Sequence, residues 1–271
     1  MQHHQKFSLI PFLYTNGLTL LVIFASIKIL FPAVWDSQLS TSLSFFTLTF
    51  IVIHLVASFI EFFFHRYVLH MTVIPFFAHF YQQHNIHHDH TSITRDGLYT
   101  YNVFPIEKES QFEASFFPGW TLLAFSTLLT PFFILVHIFF PSIPVFLAGY
   151  TALFFSMALY ELFHATWHWP LSTWQRLFKQ KYLGQVWYTI YTFHLRHHAN
   201  VQCNESVSGF FGIPLPDLLF NTYVRSGTLY PHKQIVDARE FKPPTPIFLI
   251  RWLDALFIKI NKKIHTSDNV S

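Results

Sequence analysis

Four long, mostly apolar stretches constrain this chain more than any other feature of its sequence. A helix needs about 20 such residues to cross the hydrocarbon core of a membrane, because each residue rises only about 1.5 Å. The stretches run over 7–31, 43–64, 119–140 and 143–163. We therefore predict an all-α, integral membrane bundle of four transmembrane helices rather than a water-soluble domain.

The composition excludes several other classes of protein. Only 11% of the 271 residues are charged, whereas an average soluble domain has about 25%. The aromatic content of 20% excludes a disordered chain. Cys203 is the single cysteine, which excludes disulfide frameworks and cysteine-based zinc or iron–sulfur sites. The net charge of +3 and the lack of a basic soluble module argue against nucleic-acid binding.

Short connectors and the distribution of basic residues predict the topology. The links 31–42 and 141–142 are short, so the spans should pair as two antiparallel hairpins, 7–64 and 119–163. Neither link contains Lys or Arg, whereas 65–118 contains three and the chain after 164 contains twelve. Because cytoplasmic loops are enriched in Lys and Arg, we expect both termini, the 65–118 segment and the 164–271 cap and tail to face the cytoplasm. Lys28 is the single exception, and its stem can reach the interface.

Four further segments carry weaker signals. Residues 91–118 are polar and are expected to form a loop. Residues 171–193 mix aromatic and basic side chains, which suits either a helix on the membrane surface or a buried helix of the cap. Residues 241–258 begin with a Pro-rich breaker and continue as a short apolar helix, and 261–271 are polar and expected to fray. The whole chain is expected to form one membrane domain, 1–271.

The second anomaly is histidine, because 18 His outnumber either sign of charge. Eight of them stand outside the four clusters described next and are given no function. These are His3, His4, His54, His79, His90, His137, His232 and His265.

The other ten histidines form four clusters with spacings HX4H, HXXHH, HX3H and HXXHH. They are His65 and His70; His84, His87 and His88; His164 and His168; and His194, His197 and His198. On a helix, HX3H and HXXHH bring imidazoles to one face, so the three rings of HXXHH are expected to converge. HX4H fits an α-helix less well, because residues five apart differ by about 140°.

The clusters are also expected to meet in space. The first begins directly after span two and the third directly after span four, and both spans are predicted to end at the cytoplasmic side. Neutral imidazole suits iron, zinc, copper and nickel. Ten imidazoles are too many for one ion, so two ions are implied. The absence of HExxH disfavours a zinc peptidase.

Two acidic residues lie close to the clusters in sequence. Glu61 and Glu161 each precede the first His of a cluster by about one helical turn, and only Glu161 and His164 have the ExxH spacing of soluble di-iron proteins. Each carboxylate would either orient a ligand imidazole or pair with a nearby Arg.

These motifs resemble the fatty acid hydroxylase / sterol desaturase superfamily of membrane histidine-box oxygenases. EFFFHRYVLH is similar to its first box, HFYQQHNIHH to its second, and HLRHHANVQCNESVSGFFGIPLPDLLFNTY to its last box and the stretch downstream. The likeness covers about Glu61 to Tyr223. It implies that the ten clustered histidines bind two iron ions, that O2 is a co-substrate, and that the enzyme is a monooxygenase hydroxylating an aliphatic C–H bond of a fatty acyl or sterol-like membrane lipid.

The resemblance also raises questions that the sequence leaves open. A desaturase on the same scaffold is an alternative, and a metal transporter or sensor is a third, although transporters place ligands at mid-membrane. The di-iron centre would itself be the catalyst, without a separate acid or base. Two electrons must come from an external donor protein, since span one follows the start of the chain closely and no fused haem domain is expected.

Side chains around the clusters have two possible roles. Asn204 and Asp217 either brace the last cluster or are ordinary turn residues. The neighbouring aromatic side chains either line a pocket for an acyl chain or pack between helices. These are Phe62, Phe63, Phe64, Phe163, Trp167 and Trp169.

Overall fold

A computed structural model describes residues 9–96, 99–106, 111, 115–227 and 236–268. His3, His4 and His232 lie outside the described residues. The chain divides into two compact units. We call Met1–Phe59 with Phe117–Leu162 the span unit, and Ile60–Phe116 with Phe163–Ser271 the histidine unit.

The described chain is predominantly helical, as predicted. The ten α-helices of the described residues are α1 Ile10–Leu30, α2 Pro32–Leu39, α3 Leu43–Phe64, α4 Ala78–His90, α5 Thr121–Phe139, α6 Val145–Trp167, α7 Leu171–Phe178, α8 Gly184–Ala199, α9 Leu215–Phe220 and α10 Phe248–Asp268. Four helices are long and apolar enough to cross a membrane, which confirms the four predicted spans. They are Ile10–Leu30, Leu43–Leu69, Thr121–Phe139 and Val145–Trp167.

Two polar side chains within the apolar helices are hydrogen-bonded, which offsets the cost of their burial. Asn16 of α1 donates to the Phe12 carbonyl at 2.9 Å and accepts from the Leu122 amide at 3.2 Å, so it caps the first turn of α5. His54 of α3 lies 2.8 Å from the Ser156 hydroxyl of α6. These contacts give Asn16 and His54 a structural role in the span unit.

Apolar packing holds the helices of the span unit together. Its buried core consists of Leu122, Phe133, Val145, Tyr150 and Leu153, with side chains of α1 and α3 packed against it. Gly149 permits close approach, because a Cβ atom there would lie 2.7 Å from the Phe133 ring.

The histidine unit contains shorter elements. A π-helical turn, His65–Leu69, continues α3 directly, and a 3₁₀ turn, Pro75–Phe77, precedes α4. Strands β1 Ile93–Asp96 and β2 Tyr99–Asn102 form an antiparallel hairpin, so part of the predicted loop 91–118 is a small sheet. A second 3₁₀ turn, Ala238–Phe241, lies between α9 and α10.

The structure corrects two sequence predictions. Residues 171–193 do not form one helix, because α7 ends at Phe178 and α8 begins at Gly184. Glycine is required there, since a Cβ atom on Gly184 would lie 2.2 Å from the Phe178 carbonyl oxygen. The expectation of a frayed 261–271 segment is wrong as far as Asp268, because α10 continues to that residue.

We expect Gln38→Ala to destabilise the span unit. Gln38 is 1% exposed, donates to the Ile143 carbonyl at 3.0 Å and accepts from the Phe146 amide at 3.0 Å, so its amide satisfies the start of α6. Leaving these buried backbone groups unpaired should cost about 1–3 kcal/mol. Thermal unfolding of the detergent-solubilised protein measures the effect, and Ser44→Ala at an exposed position of α3 is the control. Equal melting temperatures of the two variants would contradict the capping role.

Candidate metal centre

The four histidine clusters are carried by four separate elements of the histidine unit. His65 begins the π-helical turn, and His70 follows its last residue. The second cluster lies on α4, the third at the end of α6, and the fourth at the end of α8. All ten histidines predicted as ligands are brought together in two groups.

The π-helical turn explains the HX4H spacing. In a π-helix the backbone hydrogen bonds join residues five apart, so residues i and i+5 lie one above the other. The His65 and His70 rings are accordingly stacked, with centroids 5.1 Å apart. The α-helical geometry assumed in the sequence analysis separated these two side chains, and the local change of helix type brings them together.

Each group contains five imidazoles whose ligand atoms lie within 4.8 Å of one another. The first group is His65, His70, His84, His88 and His197. The second group is His87, His164, His168, His194 and His198. Among the described residues, histidines alone make up both groups.

Each HXXHH motif is divided between the two groups, and the expected convergence of its three rings is wrong. His84 and His88 of α4 belong to the first group, whereas His87 belongs to the second. On α8 the division is reversed, because His194 and His198 belong to the second group and His197 to the first. Consecutive residues on an α-helix point about 100° apart, so i and i+4 share one side while i+3 faces another.

Within each group the Nε2 atoms approach closely. In the first group His84 Nε2 lies 3.1 Å from His65 Nε2, 3.3 Å from His70 Nε2 and 3.1 Å from His88 Nε2. In the second group, His194 Nε2 lies 3.2 Å from that of His168 and 3.1 Å from that of His198.

Hydrogen bonds to backbone carbonyls fix the tautomer of three rings. The Nδ1 atom of His65 donates to the Glu205 carbonyl, that of His197 to the Cys203 carbonyl at 2.9 Å, and that of His168 to the Phe104 carbonyl at 2.6 Å. A carbonyl only accepts, so the proton of each neutral ring is on Nδ1 and the Nε2 lone pair points into the group.

Two hydroxyl groups likewise fix the tautomers of two rings in the second group. Ser115 donates to the Gln111 carbonyl, so its oxygen accepts from His87 Nδ1 at 2.7 Å. Thr91 donates to the His87 carbonyl and accepts from His198 Nδ1 at 3.2 Å. Outer hydrogen bonds of this kind orient metal-binding imidazoles and raise their basicity.

Burial keeps the imidazoles neutral. It lowers the pKa of His88 to about 3 and that of His168 to about 4, and it holds the pKa of His84, His87 and His194 well below the ordinary value. Neighbouring imidazoles lower the pKa of His84, His87 and His194 further, because a second positive charge would be repelled. The rings are therefore in the form that binds metal ions at neutral pH.

The geometry of the donors fits a metal ion. Several lone pairs facing one another at 3.1–3.3 Å repel unless a cation lies between them. Two nitrogens at about 2.1 Å from one ion are about 3.0 Å apart at a right angle and about 3.4 Å apart at the tetrahedral angle. Each group of five imidazoles can therefore hold one ion, and imidazole donors suit iron, zinc, copper or nickel.

The four acidic and amide side chains singled out in the sequence support loops. Glu61 accepts from the Ser208 amide at 2.8 Å and from the Ser208 hydroxyl. Glu161 accepts from the Phe117 amide at 2.8 Å within the span unit. Asp217 accepts from the amides of Glu205 and Ser206 at 3.0 and 2.8 Å.

Asn204 has a specific bracing role. It has a left-handed φ of 55° and joins the Phe193 carbonyl, at 2.8 Å, to the Val224 amide, at 2.7 Å. It thereby fastens the loop after α8 to the end of that helix. The bracing alternative therefore describes both Asn204 and Asp217 better than an ordinary turn.

Sequence reasoning missed the residues that hold the imidazoles from outside. Phe104, Cys203 and Glu205 act through backbone carbonyls, which no side-chain pattern reveals. Thr91 and Ser115 act through hydroxyls in a segment that looked like a polar loop. The second group takes these outer contacts from 91–115, and the first takes them from 203–205.

Comparison of the chain with protein-family models, curated proteins and solved structures finds no match. These comparisons therefore add no support to the resemblance between the four clusters and the superfamily. The functional proposal rests on the geometry of the histidine unit.

We expect metal-free protein to lose stability as the pH falls from about 7.5 to about 5. Buried histidines with a lowered pKa bind protons more readily in the unfolded chain, whose His pKa is about 6.5, than in the folded one. The stabilisation is complete above that value and decreases below it, down to the values near 3 and 4 of His88 and His168. Melting temperatures across this range, with metal-saturated protein as the control, test the expectation. A constant melting temperature would contradict neutral burial.

Proposed function

We propose that this chain is a membrane-embedded, O2-dependent di-iron enzyme that hydroxylates an aliphatic C–H bond of a lipid. The observation that carries the proposal is the pair of adjacent five-imidazole groups, one of which touches the wall of an apolar cavity. Four helices long and apolar enough to cross a membrane accompany the ten converging histidines, so a reaction on a membrane lipid is the simplest use of both.

The cavity has a volume of about 130 Å³ and lies beside the second group. Its wall includes Phe163, Trp167, Phe193 and Val207. The Trp167 ring is stacked on His194, with centroids 4.8 Å apart and an interplanar angle of 18°. A single aromatic ring thus separates an apolar space from a candidate ligand, which supports binding of a hydrocarbon segment next to the metal centre.

The mechanism assigns the protein three tasks. When bound, a pair of iron ions supplies the one-electron steps that O2 chemistry requires. The neutral imidazoles would hold such ions through Nε2, and outer hydrogen bonds fix the Nδ1 protons of five of them, namely His65, His87, His168, His197 and His198. The apolar cavity wall excludes water from the reacting C–H bond and orients the chain.

Electron balance requires a further partner. Hydroxylation combines one C–H bond, one O2, two electrons and two protons to give one alcohol and one water. A separate electron-transfer protein is therefore part of the proposal. Desaturation uses the same O2, electrons and protons but breaks two adjacent C–H bonds to give one double bond and two waters, so the products distinguish the two reactions.

The proposal includes the pairing of the spans and their orientation in the membrane. The four spans would form two hairpins, with both termini and the histidine unit on the cytoplasmic side, because twelve Lys and Arg follow residue 164. A reductant in the cytoplasm could then reach the metal centre.

We expect the purified protein to contain about two iron ions per chain and to transfer labelled oxygen from heavy-isotope O2 into a lipid hydroxyl group. Mass spectrometry of host lipids, comparing wild type with a His194→Ala variant, measures the product. A product one oxygen atom heavier supports hydroxylation, and one two hydrogen atoms lighter indicates a desaturase. A lipid hydroxyl group whose oxygen comes only from water would overturn the hydroxylase.

We expect Val207→Phe to reduce lipid oxidation at least about tenfold without loss of iron, because it fills the cavity but touches no histidine nitrogen. Val207 is 3% exposed and lines the cavity. Val186→Phe is the matched control, since Val186 is 50% exposed on α8. Product yield and iron content are measured together. Unchanged yield from Val207→Phe would show that the substrate binds elsewhere.

A further inference from the structure

Helix α10 contacts the π-helical turn through a buried arginine. Arg66 follows His65 in the turn and is 5% exposed. Its Nε donates to Asp254 Oδ1 at 2.9 Å and its Nη2 donates to Asp254 Oδ2 at 2.8 Å. Such a two-point pairing fixes the orientation of the guanidinium group as well as its position.

The same guanidinium extends the contact to a histidine of the first group. Arg66 Nη1 donates to Glu205 Oε1 at 2.9 Å and to the Gln202 carbonyl at 3.1 Å. The backbone carbonyl of Glu205 accepts the Nδ1 proton of His65. Asp254 is therefore linked to a candidate ligand by way of Arg66 and Glu205.

Three further contacts place α10 along the first cluster. The Tyr67 hydroxyl donates to Asp254 Oδ1 at 2.8 Å, and the Tyr67 ring is stacked on Phe257 with centroids 4.3 Å apart. Beyond His70, the Thr72 amide donates to Asn261 Oδ1 at 3.1 Å. Asp254 and Asn261 are two helical turns apart on one face, so α10 contacts the side chains between His65 and His70 and the backbone just beyond His70.

Within the described part of the chain, these contacts reach the first group only. The outer hydrogen bonds of the second group come from Thr91, Phe104 and Ser115. Breaking a buried ion pair leaves an uncompensated charge, and the disturbance is greatest for groups that share its partners. A change at Asp254 should therefore act on the first group through Arg66.

We propose that Asp254 is a positioning residue for the first histidine group, and that α10 sets the metal affinity of that group independently of the second. The inference rests on the metal-binding part of the proposed function and requires no lipid chemistry. It gives the carboxyl-terminal helix a role that the histidine motifs do not indicate.

The experiment measures each group separately in the full-length, detergent-solubilised protein after removal of metal. His164→Ala with His194→Ala leaves only the first group, and His65→Ala with His84→Ala leaves only the second. Co(II) is titrated into each background with and without Asp254→Asn, and its visible absorption reports both affinity and coordination. We expect about tenfold weaker binding and an altered spectrum in the first-group background, with no change in the other.

Matched variants separate positioning from general destabilisation. Asp237→Asn removes the same charge from an exposed pair with Arg239 and should change neither background. Asp254→Glu should restore part of the affinity, since it keeps the carboxylate. Ser115→Ala should give the opposite pattern, with weaker Co(II) binding in the second-group background only.

Each outcome of the Co(II) titrations either supports or overturns the role of Asp254. Equal losses in both backgrounds, or no loss in either, overturn the inference. If Asp254→Asn fails to fold, Asn261→Ala is tested by the same criteria. Wild-type protein that binds no Co(II) overturns the metal centre together with the inference. The expected Co(II) pattern without any lipid oxidation supports the inference and removes the hydroxylase function.

Discussion

The close approach of neutral imidazole nitrogens is the interaction on which the histidine unit depends. Nε2 atoms lie 3.1–3.3 Å apart in both groups, with their lone pairs directed at one another. This arrangement is unfavourable without a cation and favourable with one. The surrounding protein therefore has to hold the rings in place before a metal ion can bind and stabilise the arrangement. The backbone carbonyls of Phe104, Cys203 and Glu205 do so for three of the rings.

Two local features of the backbone produce the two adjacent histidine groups. The π-helical turn brings His65 and His70 to one side, which an α-helix would not do. The α-helical step of about 100° sends neighbouring histidines of α4 and α8 to different groups. His88 and His198 consequently stack with centroids 4.2 Å apart although they belong to different groups. The two groups are therefore adjacent, as a reaction that uses two metal ions requires.

The outer contacts are divided between the two histidine groups, as the histidines themselves are. Segment 91–115 orients the second group, whereas the loop 203–205 orients the first, and this loop is itself held by Asp217 and Arg66. Buried carboxylates thus act one step away from the imidazoles. Glu61 and Asp217 accordingly accept hydrogen bonds from backbone amides of residues 205–208. This arrangement also leaves the two histidine groups with separate outer contacts.

The sequence by itself determined the four spans, the helical character and the ten histidines that converge. These follow from apolar length and from residue spacing, both of which are local properties. Only the tertiary structure decided the division of the histidines into two groups, the outer contacts of Thr91 and Ser115, and the pairing of Arg66 with Asp254, 188 residues further along the chain. Spacing tells which side chains share a helix face, but it cannot tell which element faces them. Contacts through backbone carbonyls leave no residue pattern, and the π-helical turn is a change of helix type that HX4H does not indicate.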